Sequence, residues 1–381
     1  MLFLTRYLRD NMNFSYLRRS IFRILKQNKW IFYAFEWIKW HKEIEFQKRN
    51  NDPCKLKPKD IIRREERLVK EYWRIGTFHY YRYGLQYKQL TDEQLLDYVP
   101  TFYFHRNIER HHNGIDTIRF GDKLTQAKLF EERNIPTAKV IAVVKRGICF
   151  DLHEASILDL DNLINEKLSK PTNKLFFKPS GNCGGAGILV LKKINELLLV
   201  NGKLVPSIEE FKKYLSTKYK YIVEENIVQC HQLSEINPSS VNTLRVVTQE
   251  EKGKMVIRTC ILRMGRQGKE VDNSAQGGIS IKVDIENGAF AKSATAEHGA
   301  DILLNHPDTG YEFAGKRIQS WEVVKQQIED IANKLIDFKD IALDIAITRD
   351  GAIIVEFNFR YGIEHQQCVI GGLRRILNVP N

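Results

Sequence analysis

Three polar side chains near the end of the chain have the types and spacing of ligands for a hard cation. Asp344 lies in one apolar segment, and Glu356 and Asn358 lie in the next, beyond an Arg-Asp-Gly turn. In a β-hairpin, Glu356 and Asn358 are two residues apart and therefore share one face of the second strand. Carboxylate oxygens together with nucleotide phosphates are what Mg²⁺ prefers. The alternative is that the side chains are only solvated, but their Ile, Ala, Val and Phe neighbours favour a cation in a cleft.

A second set of residues could bind phosphate. Residues 178–187 read Lys-Pro-Ser-Gly-Asn-Cys-Gly-Gly-Ala-Gly, a loop in which backbone N–H groups can approach phosphate oxygens without hindrance. Because this loop leads into a strand, it is neither a Walker A loop nor a Rossmann loop, both of which lead into a helix. The pattern predicts a glycine flap between two strands, with Lys178 projecting from the first strand. A glycine hairpin without a ligand is the alternative.

Residues 221–227 (Tyr-Ile-Val-Glu-Glu-Asn-Ile) form a third candidate, a strand that runs into a connector. Main-chain groups of such a connector can hydrogen-bond adenine, and a polar side chain can hold the ribose. Apolar segments that end in acidic residues are common. This segment therefore indicates a nucleotide site only in combination with the flap and the carboxylates.

The elements that must position these residues begin at about residue 120, where predicted strands alternate with helices. Helices are predicted at 121–133, 208–218 and 321–336. The pattern is that of a mixed α/β (α+β) fold with antiparallel sheets. Strands are predicted at 139–144, 174–178, 187–192, 220–224, 243–249, 254–263, 278–285, 342–348 and 352–357.

The charge of the protein lies at one end. The chain has 381 residues and a formal net charge of +12. Residues 1–90 hold 21 of the 59 Lys and Arg and 9 of the 47 Asp and Glu, so they carry the whole excess, and the rest is neutral. This distribution argues against a nucleic-acid enzyme with a basic active cleft, and we expect no nucleic-acid partner.

Cysteine usage and hydropathy predict a cytoplasmic protein. The six cysteines are scattered without a Cys-x-x-Cys pair, which makes a zinc site or a disulfide scaffold improbable. No apolar stretch approaches the roughly 18–20 residues needed to span a bilayer. The first residues also lack a signal-peptide core and cleavage site.

Residues 14–40 read as a basic amphipathic helix, with apolar residues at three- and four-residue steps and tryptophans near its end. Such a helix suits an anionic membrane surface, which would place the protein at the inner face of the membrane. The alternative, a helix packed on the body of the protein, is favoured, because amphipathic helices mostly face the core. A second charged helix is predicted at about 59–74, followed by an aromatic stretch, 78–87, that reads as packing material.

Taken in order, these motifs resemble the ATP-grasp superfamily. The resemblance rests on residues 177–180 (Phe-Lys-Pro-Ser) with the glycine loop, 223–225 (Val-Glu-Glu) and 356–358 (Glu-Phe-Asn). The chain also resembles the sugar-transfer-associated ATP-grasp branch, which is found with bacterial surface-polysaccharide biosynthesis. That narrower resemblance rests on residues 237–248, on Asp272-Asn273 before Gly277-Gly278, and on 306–310 (His-Pro-Asp-Thr-Gly).

The resemblance covers roughly residues 75–381 and implies an ATP-grasp fold, in which two α+β subdomains clamp ATP. It implies the following division of the chain: the N-terminal part of the ligase body at 76–138, a subdomain with the glycine flap at 139–219, and a subdomain with the hinge strand and the metal site at 220–381. Residues 1–75 lie before it and are predicted from their charge and apolar pattern to be a basic helical N-terminal segment.

The resemblance also implies roles for individual residues. Arg245 and Lys178 would be catalytic, and Asp344, Glu356 and Asn358 would bind Mg²⁺. The substrate would contact Asp272, Asn273, Gln276 and Arg360. The predicted contacts of ATP are Lys123, Lys178, Ser180, Gly181, Gly184, Gly185, Gly187, Glu224, Glu225, Asn226, Ile227 and His231.

One position departs from the pattern of related ligases. Ligases of the D-alanine–D-alanine type carry an arginine two residues before the metal-binding aspartate, and here that position is Ala342. The positive charge must then come from elsewhere, with Arg245, Arg263 and Arg360 as the available sources.

The activity implied is that of a carboxylate ligase that requires Mg²⁺ and ATP. A substrate carboxylate would attack the γ-phosphate, and an amine or amino acid would displace phosphate from the acyl phosphate. The carboxylate would belong to a sugar or a sugar-linked precursor. Two alternatives stay open: a phosphotransferase that acts on a sugar hydroxyl, and a non-catalytic ATP-binding adaptor at the membrane.

Overall fold

The computed structural model describes residues 31, 34, 56–107, 120–170, 172–181, 186–194, 197–270, 272, 277–296, 302–359 and 361–380. The chain divides into two compact units, Met1–Ile108 with Gly372–Asn381 and Glu109–Gly371. Apart from residues 31 and 34, the helix predicted at 14–40 lies outside the described residues. No helix in the described ranges is long and apolar enough to cross a membrane.

The described residues of the first unit are helical. The predicted charged helix is confirmed at 59–73, and the aromatic stretch packs as expected, since Tyr80 and Tyr83 are fully buried. A capping box starts the third helix, because Thr91 accepts from Gln94 N–H and the Gln94 side chain accepts from Thr91 N–H. The helices are α1 (Lys59–Trp73), α2 (Phe78–Arg82), α3 (Asp92–Leu96) and α4 (Thr101–Asn107), with a 3₁₀ turn at Leu85–Tyr87.

Polar groups are buried inside this unit. Lys57 Nζ lies 2.7 Å from Glu65 Oε2, and the Tyr80 hydroxyl donates to the same oxygen at 2.6 Å. His79 is buried as well, and desolvation lowers its pKa to about 3, so the ring is neutral at physiological pH.

The first sheet of the second unit has eight strands in the order β3-β2-β1-β8-β4-β5-β6-β7, and neighbouring strands are antiparallel. Its core includes Phe177, Phe211 and Val223. The elements of this part are α5 (Lys123–Glu132), β1 (Val140–Lys145), β2 (Ile148–Phe150), β3 (Ile157–Leu158), α6 (Leu160–Lys167), β4 (Lys174–Pro179), β5 (Leu189–Ile194), β6 (Leu197–Val200), β7 (Lys203–Val205), α7 (Ile208–Lys212) and β8 (Lys220–Glu225).

The second sheet has five antiparallel strands in the order β11-β10-β9-β12-β13. Trp321 and Ile328 belong to its buried core. The elements of this part are α8 (His231–Ile236), β9 (Thr243–Glu251), β10 (Lys254–Met264), β11 (Ile279–Lys282), α9 (Trp321–Asn333), β12 (Asp340–Thr348), β13 (Gly351–Asn358) and α10 (Glu364–Ile370).

The α+β fold class is confirmed, and each predicted strand is present, with shifted ends at β5 and β11. The helix predicted at 208–218 is shorter and ends at Lys212. Beyond it the backbone tightens into turns with i to i+3 bonds, because Tyr214 N–H donates to Phe211 O and Leu215 N–H to Lys212 O.

The register of the five-stranded sheet aligns polar residues from neighbouring strands. Asp344 on β12 lies opposite Glu356 on β13 and opposite Arg245 on β9. Residues directly opposite each other in antiparallel strands share a face of the sheet. A bulge between Asp344 and Ile345 makes Val355 an extra residue of β13.

Candidate functional site

A partly open cleft lies between the two sheets. Apolar side chains form much of its wall, and two lysines and two glutamates supply the charge. The cleft is lined by Lys123, Gln126, Ala127, Phe130, Thr137, Val140, Lys178, Ile222, Glu224, Val355 and Glu356.

Helix α5 presents Lys123 to this cleft. Asp122 caps the helix by accepting from Thr125 N–H at 3.1 Å, and it also accepts from the Ser180 hydroxyl. Lys123 N–H donates to Ser180 O at 2.9 Å. The start of the helix is thereby fixed to the point where strand β4 ends and the glycine loop begins.

Gln126 fixes the same helix to the second sheet. Its amide nitrogen donates to Phe357 O at 2.9 Å, and its amide oxygen accepts from Phe357 N–H at 3.1 Å. Gln126 is 5% exposed, so these bonds are shielded from water. Helix α5 therefore holds contacts to both sheets that form the cleft.

Each lysine of the cleft is paired with a glutamate. Lys178 Nζ lies 2.6 Å from Glu224 Oε2, with only 13% and 8% of the two side chains exposed. Lys123 Nζ lies 3.5 Å from Glu356 Oε2, and these side chains are 17% and 29% exposed. The second pair joins the cleft to the strand that carries the candidate metal ligands. Lysine ammonium groups of this kind can bind phosphate as mobile point charges.

Next to Glu356 lies a denser group of charges, which we call the arginine–aspartate cluster: Thr243, Arg245, Arg263, Asp272 and Asp344. Arg245 donates two bonds to Asp344, one from Nε to Oδ1 and one of 2.8 Å from Nη2 to Oδ2. Arg263 Nη1 donates to the same Oδ2 at 3.3 Å, and its Nη2 lies 3.4 Å from Asp272 Oδ1. Asp272 in turn accepts from the hydroxyl of Thr243 and, at 3.2 Å, from its N–H.

Burial and charge act against each other in this cluster. Burial would raise the pKa of Asp344, but the charges of Arg245 and Arg263 outweigh it and hold this pKa below its ordinary value. Burial would likewise lower the pKa of Arg245, but the charge of Asp344 raises it. For Asp272 burial dominates, and its pKa is raised although Arg263 lies beside it. Arg245 and Asp344 are therefore charged at neutral pH.

The donor set is compatible with Mg²⁺. Asp344 and Glu356 are opposite each other, and Asn358 Nδ2 lies 3.4 Å from Glu356 Oε1. A carboxylate has about four acceptor positions. Arg245 and Arg263 donate three hydrogen bonds to Asp344, one to Oδ1 and two to Oδ2, and the Asp344 carboxylate also interacts with Glu356. In the described part of the chain, no group of three or more His, Cys, Asp and Glu residues is placed to hold a metal ion, and a site here would need an oxygen of another type, such as the Asn358 amide.

The sequence profile of the sugar-transfer associated ATP-grasp family matches residues 104–379. The chain belongs to this family. The predicted branch of the ATP-grasp superfamily is thereby confirmed, and with it the ATP-grasp fold. No curated protein sequence matches the chain.

Several solved structures are similar to this ATP-grasp protein at low identity. D-alanyl-alanine synthetase A from Vibrio cholerae is 11% identical over 70% of this chain and 62% of its own, with a TM-score of 0.38. Phosphoribosylamine–glycine ligase from Thermotoga maritima is 13% identical over 73% and 59%, with a TM-score of 0.38. Carboxyaminoimidazole ribonucleotide synthase from Aspergillus clavatus, complexed with ATP, is 14% identical over 70% and 54%, with a TM-score of 0.38. The chain thus spans between half and two thirds of the length of these proteins.

Of the predicted ATP contacts, the structure places Lys123, Lys178 and Glu224 in the lining of the cleft. Ser180 stands at its edge, but its hydroxyl is bonded to Asp122. Gly181 and Gly187 mark the two ends of the glycine loop, and Gly187 has a φ of +79°, which glycine adopts without strain. Gly184 and Gly185 lie outside the described residues.

The other predicted ATP contacts near the end of strand β8 interact with neighbouring protein groups and not with the cleft. Asn226 Oδ1 accepts from Lys174 N–H at 3.0 Å, and Asn226 N–H donates to Lys174 O at 3.1 Å, so both groups close the end of strand β4. Glu225 Oε1 lies 3.4 Å from Lys167 Nζ. Ile227 is half-buried, and the side chain of His231 is 89% exposed and faces Glu235. None of these four residues lines the cleft.

The structure brings Arg245 and Asp272 together in one cluster, although the sequence predicts separate catalytic and substrate-binding roles for them. Asn273, Gln276 and Arg360, the other predicted substrate contacts, lie outside the described residues.

The predicted site lacks three residues that the structure brings into it: Asp122, Gln126 and Thr243. Asp122 is the second residue of the predicted helix and caps the observed one, so a helix-cap rule applied at that helix start would have found it. Gln126 and Thr243 carry no local signal, because their partners are Phe357 and Asp272, which lie 231 and 29 residues away.

Two of the motifs on which the narrower family resemblance rests, residues 237–248 and 306–310, form hydrogen bonds within the protein. Asn242 Nδ2 donates to Leu233 O at 2.7 Å and to Asn237 O at 3.0 Å, which folds residues 237–242 over the start of β9. In residues 306–310, Asp308 forms a two-bond ion pair with Arg266 at 2.7 and 2.8 Å. The hydrogen bond from Arg266 lowers the pKa of Asp308 to about 2.

Proposed function

We propose that this protein is an ATP- and Mg²⁺-dependent ligase that joins a carboxylate to an amine and releases ADP and phosphate. The observation that carries the proposal is the continuity between the cleft and the five-stranded sheet. Lys123 Nζ, at the edge of the cleft, lies 3.5 Å from Glu356, and Glu356 lies opposite Asp344 in the sheet. A nucleotide in the cleft would therefore carry its phosphates toward the candidate metal ligands.

In this proposal ATP occupies the cleft between the sheets. Val140, Ile222 and Val355 supply apolar surface for the base. Lys123 and Lys178 would leave their ion pairs with Glu356 and Glu224 and pair with the phosphates, so each lysine would exchange one anionic partner for another. The glycine loop that starts at Gly181 would cover the triphosphate and offer it backbone N–H groups.

Asp344, Glu356 and Asn358 would hold Mg²⁺, which neutralises phosphate charge when it is bound. Arg245 would stabilise the phosphoryl group during transfer, and Asp344 fixes its orientation through two bonds. Preorganised charges of this kind lower the barrier because they need no rearrangement as charge moves between oxygens.

The reaction would have two steps. An oxygen of the substrate carboxylate bonds to the γ-phosphorus while the bond to ADP breaks, and ADP leaves with the electron pair. The nitrogen of the amine then bonds to the acyl carbon, and phosphate leaves as the amine gives up a proton. We infer that the carboxylate belongs to a sugar or a sugar-linked precursor and that the acceptor is an amine or amino acid; the description of the family as sugar-transfer associated supports the link to sugars.

The direct test measures nucleotide release with pairs of carboxylates and amines, beginning with uronic acids and amino acids. We expect ADP, and only when both substrates are present. AMP with pyrophosphate would contradict an acyl phosphate, and a stable phosphorylated sugar would identify a phosphotransferase instead. Nucleotide binding without turnover of any pair would favour an adaptor.

Glu356→Gln tests the metal-binding side of the proposal. We expect turnover to fall about 100-fold or more, comparable to the loss of one preorganised charge contact elsewhere. Glu251→Gln is the matched control, because Glu251 lies on β9 of the same sheet with its side chain 46% exposed. Equal turnover of the two variants would refute the assignment of Glu356.

A further inference from the structure

Asp272 lies in the arginine–aspartate cluster but does not touch Asp344. It reaches the rest of the cluster through two residues: Arg263, with 3.4 Å between Nη2 and Oδ1, and Thr243, whose N–H and hydroxyl both donate to Oδ2. Its side chain is only 14% exposed. Since both oxygens are engaged and the side chain is buried, Asp272 has little surface left to contact a substrate.

Arg263 stands between two aspartates. One terminal nitrogen, Nη1, donates to Asp344 at 3.3 Å, and the other, Nη2, faces Asp272. A guanidinium group has a rigid fork of donors, so a partner on one nitrogen fixes the direction of the other. Asp272 therefore determines how Arg263 meets Asp344.

The charges of the cluster balance. Two guanidinium groups, those of Arg245 and Arg263, face two carboxylates, those of Asp272 and Asp344. Without the charge of Asp272, the two arginines would share Asp344 alone, and the cluster would carry a net charge of +1. That excess would lie beside Asp344, the residue expected to bind a divalent cation, and would repel the cation.

We propose that Asp272 is a positioning residue that holds Arg263 and balances its charge, so that Asp344 can bind a divalent cation together with Glu356. The proposal rests on the proposed function, because the cation is the Mg²⁺ of that function. It assigns Asp272 to the metal side of the site and not to the substrate.

The test measures cation binding without turnover. Mn²⁺, which takes the same oxygen ligands as Mg²⁺, is titrated into the full-length protein with a non-hydrolysable ATP analogue, and free Mn²⁺ is measured by electron paramagnetic resonance. For Asp272→Asn we expect Mn²⁺ binding to weaken about tenfold, since the variant loses one negative charge near the cation and keeps the shape of the side chain.

Asp308→Asn is the matched control. Asp308 also forms an ion pair with an arginine. It accepts from Arg266 at 2.7 and 2.8 Å, its side chain is 15% exposed, and it lies outside the cluster. If loss of any aspartate–arginine pair in this part of the fold loosened the site, both variants would bind Mn²⁺ weakly. We expect the Asp308→Asn protein to bind Mn²⁺ as the wild type does.

A second substitution shows whether weak Mn²⁺ binding by Asp272→Asn comes from the unbalanced charge or from damage to the fold. Adding Arg263→Gln to Asp272→Asn returns the cluster to zero net charge, and we expect Mn²⁺ affinity to recover to within about threefold of wild type. A double variant that binds more weakly than Asp272→Asn would overturn the proposal, and so would an Asp272→Asn protein with wild-type affinity. A wild-type protein that binds no Mn²⁺ beside the ATP analogue would instead refute the metal site of the proposed function.

Discussion

The cleft and the arginine–aspartate cluster are neighbours that hold charge in different ways. In the cleft, Lys123 and Lys178 each face one glutamate, and the lysine side chains are 17% and 13% exposed. In the cluster, Arg245 makes two bonds to Asp344, and Asp344 receives a third from Arg263. The cleft thus consists of separate pairs, whereas the cluster is a connected network.

The difference indicates which charges can change partners. A lysine ammonium group is a single point charge on a flexible stem, so it can leave a glutamate for a phosphate at moderate cost. An arginine held by two bonds in a buried network keeps its direction, because removing either partner leaves an uncompensated charge. In the proposed function, the lysines would therefore bind and release the nucleotide, and the arginines would stay in place during phosphoryl transfer.

Breaking the network should have the largest effect on the fold. For Asp344→Ala, we expect the free energy of unfolding to fall by about 3–5 kcal/mol, because Arg245 is left buried without its main partner. Urea unfolding followed by circular dichroism would measure the change. Asp350→Ala, whose side chain is 82% exposed beside Arg349, should change stability by less than about 1 kcal/mol. If the free energy of unfolding fell by a similar amount in both variants, the buried network would be no more important for stability than the exposed pair.

His79 extends the comparison to a buried group whose pKa is set by desolvation and not by a charged partner. Its folded pKa of about 3 lies below the ordinary value of 6.5, so the unfolded chain binds the proton more readily between these values. Stability should therefore fall as the pH drops through that window, by about 2 kcal/mol from pH 6.5 to 4.5.

In His79→Gln, this part of the pH dependence should disappear. Unfolding in urea at a series of pH values would show the difference, with His231→Gln as the control because the His231 side chain is 89% exposed. An unchanged pH profile in His79→Gln would mean that the histidine is not kept neutral by the fold.

The lysine pairs should matter more for the ligand than for the fold. For Lys178→Ala, we expect about tenfold weaker binding of a non-hydrolysable ATP analogue in calorimetry, while the free energy of unfolding falls by less than in Asp344→Ala, because one ion pair is broken and not a network. Lys213→Ala serves as the control, because Lys213 directly follows helix α7 and its side chain is 70% exposed. A loss of stability in Lys178→Ala as large as that in Asp344→Ala would show that the cleft is a network too.

Local patterns were sufficient to predict the pieces of the site. The spacing of Asp344, Glu356 and Asn358 across a turn predicts a hairpin with its polar side chains on one face, and the structure has this hairpin. The glycine loop between strands β4 and β5 is predictable for the same reason, since both strands have clear apolar patterns.

The contacts between these pieces could not be predicted. Arg245 and Arg263 meet Asp344 across 99 and 81 residues of chain, and no local pattern specifies which strands become neighbours. Asp272 looks like a polar loop residue in the sequence and is an internal partner of Arg263 in the structure. Its partners Thr243 and Arg263 are opposite each other on β9 and β10, and the pairing of these strands is a tertiary property.

The bulge in β13 bears on how this strand would tolerate a change in length. Consecutive strand residues normally point to opposite sides, yet Val355 and Glu356 both line the cleft, because Val355 is the extra residue of the bulge. Deleting Val355 would leave a regular ladder with Glu356 still opposite Asp344, so the sheet itself does not need the additional residue. The deletion would instead remove the apolar side chain that lines the cleft next to the Glu356 carboxylate. The effect of the additional residue is therefore on the shape of the cleft and not on the pairing of the strands.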